Sequence, residues 1–423
     1  AGAFVMASYT QIDYGTIVAV AFVPALLYFL SLAFYVRFEA FKQGIEKPEG
    51  KGPNLWKLTY KEGLSFVVPV LLLIGMLVYG FTPVYAGAFA ILAVIITSWF
   101  TPIKMGPRAI ADAFAMGARN MVMTAILLCA VGLIINVIAT AGIGNTFSLM
   151  IADWAGGSLF IAILLVGLAS LLLGMGLPVT AAYIVLATLS APALLNLMAN
   201  IEMAYTLSAG PLAEDIKPIL MLGAPQLMEQ LMDPTFQLDY AAAVSLLEGM
   251  PNETVLLLQP KLVDADRLTL LLLSAHMIIF WLSQDSNVTP PVCLCSFTAA
   301  TIAKTPPMAT GFASWKIAKS LYIIPLLFAY TPLLTGSTEE VLEIGLYTAL
   351  GLYAFTSAVQ GWHMVKLNIF TRLIMVGCTF ALLWPLDRVY HIAGAVVLVT
   401  LAVYLSQQYK KQPRTNSVAA EAG

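Results

Sequence analysis

The chain has 423 residues, 60% of them hydrophobic and 10% charged, and its mean hydropathy is +0.87. That excludes an ordinary soluble domain and places the chain among polytopic membrane proteins. A formal net charge of −2 argues against nucleic acid as a partner.

Taken in order, the chain opens Ala1-Gly2-Ala3 inside an apolar run and without an initiator Met, so it reads as the later part of a longer chain. Residues 1–36 are expected to hold the end of an interrupted helix and a span at 14–36. Residues 37–121 begin with a polar loop to about 62, carrying Arg37, Lys42, Lys47, Lys51, Lys57 and Lys61. Spans at 64–81 and 83–100 follow, joined by a tight Phe81-Thr82-Pro83 turn. At 103–120, Lys104, Arg108, Asp112 and Arg119 interrupt Ile103, Ile110, Phe114 and Met116, which predicts an amphipathic helix on the membrane surface. Residues 122–198 comprise a span at 122–141, a short linker at 142–157 without Lys or Arg, and an apolar hairpin at 158–198. Residues 199–265 form a polar, acidic insertion containing Glu202, Glu214, Asp215, Glu229, Asp233, Asp239, Glu248, Glu253 and Asp264, with Asp266 just beyond. Leu, Met and Ala recur at helical spacing across 219–249, predicting two or three short helices. Residues 266–335 hold a second interrupted segment at 267–304, a helix of mixed polarity at 308–320 and a span at 320–335. Residues 336–423 add spans at 342–360, 369–385 and 389–406 and a polar tail.

Two stretches stand out because they open the backbone inside apolar segments. Gly174-Met175-Gly176-Leu177-Pro178-Val179-Thr180 separates the arms of the 158–198 hairpin, and Ser286-Asn287-Val288-Thr289-Pro290-Pro291 interrupts 267–304. Glycine weakens helix propagation and proline lacks a backbone donor. Open backbone at membrane depth is tolerated where it is buried in protein or lines a wet cavity. A pair of broken hydrophobic segments therefore points to a transporter's binding site. The 158–198 hairpin either re-enters or crosses twice; the absence of polar turn residues at the junction favours re-entry.

Lys and Arg concentrate in the loops at 37–62, 101–120, 304–319, 361–372 and 410–414 and are sparse at 142–157, 199–265 and 336–343. The positive-inside rule then makes the basic loops cytoplasmic and the acidic insertion external. Ala3–Ala7 followed by Phe22–Phe29 is similar to Ala300–Ala303 followed by Tyr322–Tyr330, and the two copies have opposite topology, as inverted repeats do. The expected fold is an all-α polytopic membrane protein with inverted repeats, the first truncated.

A membrane-crossing cation must exchange its water for oxygens, which unwound carbonyls and hydroxyls supply. The candidate cation-binding residues are Gly174, Met175, Gly176 and Thr180 at the first break and Ser286, Asn287, Val288 and Thr289 at the second. Helices starting after Pro178 and Pro291 would aim positive dipole ends at a carboxylate substrate. Pro178, Tyr183, Asp285, Pro290 and Pro291 are accordingly the candidate substrate residues. Kinked helices whose breaks only aid packing are the plainer alternative. Asp285, the lone carboxylate of 267–304, marks an ion pathway or caps the following turn. Core packing is the plainer role for Tyr183, and a hydrogen-bonded packing histidine is favoured for His276 over a proton relay. Cys129, Cys293, Cys295 and Cys378 fall in apolar segments and read as buried free thiols. No metal site is expected beyond the transported cation, no cofactor, and no catalytic constellation, so an enzyme is not expected.

Gly-Met-Gly-Leu-Pro-Val-Thr-Ala-Ala-Tyr-Ile-Val-Leu-Ala-Thr-Leu at 174–189 resembles the signature of the fused permease of tripartite ATP-independent periplasmic (TRAP) transporters, of the TAXI-type subclass. Asp285–Val292, Pro307–Phe312, Gly117–Asn120 and Gly2–Met6 are similar to further blocks of that family. The resemblance implies an elevator-type secondary transporter of the bacterial inner membrane, driven by sodium and importing an organic acid from an extracytoplasmic solute-binding protein. It also implies a small permease region and a first hairpin upstream, which this sequence does not contain, and an insertion at 199–265 longer than the family needs. An ion-coupled carrier or exchanger without a binding protein, or a fragment inactive alone, are the alternatives.

Overall fold

The computed structural model describes residues 2–45, 63–102, 104–175, 177–233, 236–291 and 293–411. Gly176 of the first break, Lys47, Lys51, Lys57 and Lys61 of the first polar loop, and the tail beyond 411 lie outside the described residues. Every named element is helical: α1 (Gly2–Thr10), α2 (Tyr14–Lys42), α3 (Leu64–Val78), α4 (Pro83–Ser98), α5 (Pro107–Thr140), α6 (Ile143–Ala155), α7 (Leu159–Gly174), α8 (Val179–Ser208), α9 (Lys217–Gly223), α10 (Met228–Leu231), α11 (Tyr240–Gly249), α12 (Asn252–Leu262), α13 (Ala265–Ser283), α14 (Leu294–Ala303), α15 (Pro307–Ile317), α16 (Ser320–Tyr330), α17 (Thr338–Gln360), α18 (Ile369–Leu383) and α19 (Arg388–Lys411). Among the described residues, six stretches are long and apolar enough to cross a membrane: Tyr14–Lys42, Val179–Ser208, Ala265–Asn287, Pro307–Tyr330, Thr338–Gln360 and Arg388–Lys411. Large exposed apolar side chains such as Phe66, Val84 and Val389 suit helices whose solvent is lipid.

The chain divides into two compact units, residues 1–20 with 50–314 and residues 21–49 with 315–423. In the first unit α8 is the central element, packed by α1, α5, α6, α7, α11, α12 and α13. Its run Ala181–Ala187 is buried at every position, as a helix surrounded on all sides requires. With 30 residues α8 is about 45 Å long. It continues ten residues past the expected end of the hairpin, into what the sequence suggested was the polar insertion. There a bidentate pair ties it to the start of α13: Arg267 Nε donates to Glu202 Oε1 at 3.2 Å and Nη2 to Oε2 at 3.0 Å. The rest of the insertion folds into α9 to α12 and one 3-10 turn, with α11 and α12 packed on α8.

Three expectations in this region need correction. The expected surface helix at 103–120 and span at 122–141 are replaced by one continuous helix, α5 (Pro107–Thr140), 34 residues long; Ile103 lies outside the described residues. No proline lies between Arg108 and Thr140, so a change from charged to apolar surface does not interrupt the helix. The 142–157 linker is α6, bounded by Gly142 (φ 67°) and Gly156 (φ 55°) in the left-handed conformation that glycine adopts without strain. It packs on α7 and α8, and its Ser148 hydroxyl donates to the Leu189 carbonyl at 2.7 Å. Cys129 and Cys295 are exposed, whereas Cys293 and Cys378 are buried as expected; an apolar segment facing lipid does not bury its thiols in protein.

A further correction falls at 308–335. The expected span ends early, at Tyr330, and α16 has only 11 residues. The span-length stretch is Pro307–Tyr330, α15 and α16 together.

In the second unit, α17, α18 and α19 form an antiparallel bundle around Ala354, Ala358, Met375, Cys378, Leu382, Leu398 and Leu405. Ser337 and Glu340 form a reciprocal capping box at the start of α17. Gly351 lets α18 come close, since a Cβ there would lie 2.6 Å from Leu383.

The loop after α17 carries His363, buried against Phe38 and hydrogen-bonded through Nε2 to the Tyr353 hydroxyl. Burial, reinforced by the Arg37 guanidinium, lowers its imidazole from 6.5 to about 4. The folded protein therefore resists a proton that the unfolded chain accepts. His363 is silent above pH 6.5 and destabilises the fold progressively as pH falls from 6.5 towards 4. The expected result is a melting temperature that drops between pH 7.5 and 5, with a shallower slope in His363→Gln; equal slopes would contradict it.

Candidate functional site

Prolines decide where the two breaks fall. Continued as a helix, the Gly174 carbonyl would accept from residue 178, but Pro178 has no N–H. Helix α7 ends there, with Met175 N–H on the Leu172 carbonyl at 3.4 Å and Leu177 N–H on the Leu173 carbonyl at 3.1 Å. Pro178 is extended (φ −64°, ψ 154°) and α8 begins at Val179. At the second break α13 ends at Ser283, a 3-10 turn covers Asp285–Asn287, and α14 begins at Leu294. Pro290 and Pro291, joined by a cis peptide, lack the N–H groups that would have closed the Ser286 and Asn287 carbonyls.

The two breaks touch. A Cβ on Gly174 would overlap Ser286 Cβ and lie 2.8 Å from its Oγ, so only glycine fits. Two turns earlier a Cβ on Gly167 would lie 3.7 Å from Leu282. Gly167, Ser170 and Gly174 thus form a face of small residues along which α7 approaches the end of α13. The residues whose carbonyls the prolines release, Gly174, Ser286 and Asn287, lie together.

Around them, Asp285 is buried at 2% exposure, and the Thr289 hydroxyl donates to its Oδ1. The Asp285 carbonyl accepts from Val288 N–H at 3.0 Å and Thr289 N–H at 2.9 Å. Ser286 is buried, and its hydroxyl donates to the Ser283 carbonyl at 3.2 Å. Asn287, Val288, Thr289, Pro290 and Thr180 are half-buried, while Met175, Pro178 and Pro291 are exposed. Across 170–190 and 274–300, Asp285 is the only carboxylate.

Tyr183 lies one turn into α8. It is wholly buried, its hydroxyl is 3.0 Å from His276 Nδ1, and its ring meets Phe280 edge-on at 5.4 Å. Helix α1 closes over the same group: Gly2 abuts the Phe280 ring and the Tyr9 ring lies 5.5 Å from His276. The Tyr9 hydroxyl donates to Thr188 Oγ1 at 3.3 Å. Tyr183→Phe removes the partner of a buried imidazole nitrogen and should cost about 1–3 kcal/mol. The measurable result is a lowered melting temperature with ion dependence of uptake retained; an unchanged melt would contradict it.

Three residues near the breaks escaped the sequence reading. Gly311 of α15 lies against the second break, where a Cβ would be 2.6 Å from Cys293 Sγ and 3.3 Å from Pro290 Cγ. Ser170 and Ser296 are buried, and their hydroxyls have no partner among the described residues. The three-and-four spacing of Gly167, Ser170 and Gly174 is a readable signal for the first serine; Gly311 is marked only as part of the Pro307–Phe312 block, and nothing local marks Ser296.

Among the described residues no three His, Cys, Asp or Glu side chains converge. The oxygens at the breaks are backbone carbonyls, hydroxyls, one amide and one carboxylate, a set suited to a hard monovalent cation in transit. Such an all-helical, multi-pass chain is a membrane transporter component and not an enzyme. More particularly, the chain belongs to the family described as tripartite ATP-independent periplasmic transporter, DctM component, whose profile matches residues 1–334. Neither a curated protein nor a solved structure matches it. Transporters of this family are secondary and ion-coupled, and their DctM permease lies in the bacterial inner membrane and works with a periplasmic solute-binding protein and a DctQ component.

Proposed function

We propose that this permease imports an organic acid with sodium, and that the sodium is held between the two breaks. The contact of Gly174 with Ser286 is the observation that carries the reading, because it gathers residues with proline-released carbonyls beside Asp285 and Thr289. Sodium ligands are drawn from the carbonyls of Gly174, Met175, Gly176 and Val288 and from the side chains of Thr180, Ser286, Asn287 and Thr289. The acid binds on the side of Pro178, Pro290 and Pro291, facing the start of α8, whose dipole favours a carboxylate. Asp285 orders this side through Thr289.

The 158–198 region works as a re-entrant hairpin of a moving transport unit, in an elevator cycle. The 16-residue α7, about 24 Å long, supports an arm that stops short of the opposite face. The sequence blocks at 174–189 and 285–292 favour the TAXI-type subclass. The excess of Lys and Arg supports cytoplasmic basic loops and a periplasmic 199–265 segment, on whose acidic surface the binding protein docks.

Uptake into proteoliposomes containing the chain, its DctQ component and the binding protein tests this. An inward sodium gradient should drive accumulation, and replacing sodium with potassium should abolish it. Uptake unchanged by that replacement would overturn sodium coupling.

A further inference from the structure

The second unit contains a cavity of about 330 Å³ beyond the transport site, in the range of small-ligand pockets. It lies between the end of α16, the first turns of α17 and the turn joining α18 to α19. Eleven of its fifteen lining residues come after 334, outside the stretch matched by the family profile. We propose that it holds the headgroup of a zwitterionic phospholipid carrying a phosphate and a primary ammonium. This inference is independent of the sodium reading, since it rests on other residues in the other unit.

Charge selects the ligand. Glu343 Oε1 and Arg388 Nε pair at 2.8 Å on the cavity wall. That contact uses one atom of each group, and the Arg388 side chain remains 71% exposed. Its terminal nitrogens can donate to a phosphate, and the second Glu343 oxygen can accept from an ammonium. A purely anionic headgroup would meet Glu343, and a purely cationic one Arg388; a zwitterion satisfies both. His391 also lines the cavity, stacked on Tyr347 at 4.9 Å, and its Nδ1 has no hydrogen-bond partner among the described residues.

Position selects a lipid over a soluble zwitterion. The cavity sits where four helices of a multi-pass chain end or begin, the depth at which headgroups lie. Tyr330, Tyr347 and Trp384, aromatic residues typical of the membrane interface, line it. Leu382 and Leu383 form apolar wall, and the neighbouring Leu342, Leu346 and Phe380 are exposed on helix surface where acyl chains would run.

Native mass spectrometry of the detergent-purified, delipidated full chain provides the test, with phosphatidylethanolamine, phosphatidylglycerol or inorganic phosphate added back. The wild type should retain phosphatidylethanolamine about tenfold over phosphatidylglycerol, with inorganic phosphate not displacing it. Arg388→Gln should lose retention of both lipids. Glu343→Gln should keep total lipid binding but lose the preference. Melting curves of both variants establish that they are folded, and the wild-type preference stands as evidence without them. Equal retention of the two lipids by the wild type, unchanged retention by folded Arg388→Gln, or displacement by inorganic phosphate would each overturn the proposal.

Discussion

Gly174→Ala is expected to abolish ion-coupled uptake and to lower the melting temperature of the purified permease. The added Cβ would overlap Ser286 Cβ, with Gly174 at the end of α7 and Ser286 in a 3-10 turn, so the breaks must separate. Overpacking of this kind typically costs about 1–3 kcal/mol. Ser286→Gly in the same chain separates the steric from the chemical effect. With the serine Cβ gone, the nearest atom to the methyl added at position 174 is the Cα of residue 286 at 3.4 Å, an ordinary contact. The double variant should therefore recover its melting temperature. It should not recover uptake, because the Ser286 hydroxyl is gone too. A Gly174→Ala protein that melts and transports like the wild type would mean that the two breaks are not in contact.

Asp285→Asn is the second large effect. Asparagine keeps an oxygen acceptor for the Thr289 hydroxyl and the shape of the turn, but removes the only carboxylate in the segment. Ion-dependent uptake should fall by about tenfold or more while the melting temperature changes little, because an ionised group placed there serves ion passage. Wild-type ion dependence in Asp285→Asn would assign Asp285 to capping the turn. A large loss of melting temperature with uptake per folded molecule intact would do the same.

What could be read from the sequence follows from which features are local. Pro178, Pro290 and Pro291 release carbonyls by covalent structure alone, so both breaks were legible before any fold was known. Their contact was not, because Gly174 and Ser286 are far apart in sequence and only the packing of α7 against α13 joins them. Helix α6 was hidden by its lack of Lys or Arg, although Gly142 and Gly156 mark its ends in a way that sequence reading can use. The continuity of α5 was missed for the opposite reason, since the clustered charges at 104–119 drew a boundary where no proline or turn sequence supports one. Packing is the plainer role that the sequence assigns to Tyr183 and His276, but their pairing in one buried hydrogen bond is a tertiary fact. Gly311 lies in the Pro307–Phe312 block, but its need for a missing side chain arises from Cys293, just before α14.

Sodium binding to the isolated permease tests most directly whether the joined breaks hold an ion. A ligand that binds the folded state raises its stability in proportion to ln(1 + [L]/Kd). Replacing potassium chloride with sodium chloride at fixed ionic strength should raise the melting temperature saturably, and the rise should vanish in Ser286→Ala/Thr289→Val. Identical melting in the two salts, or an undiminished sodium shift in the double variant, would contradict an ion held between residues 174–180 and 286–289.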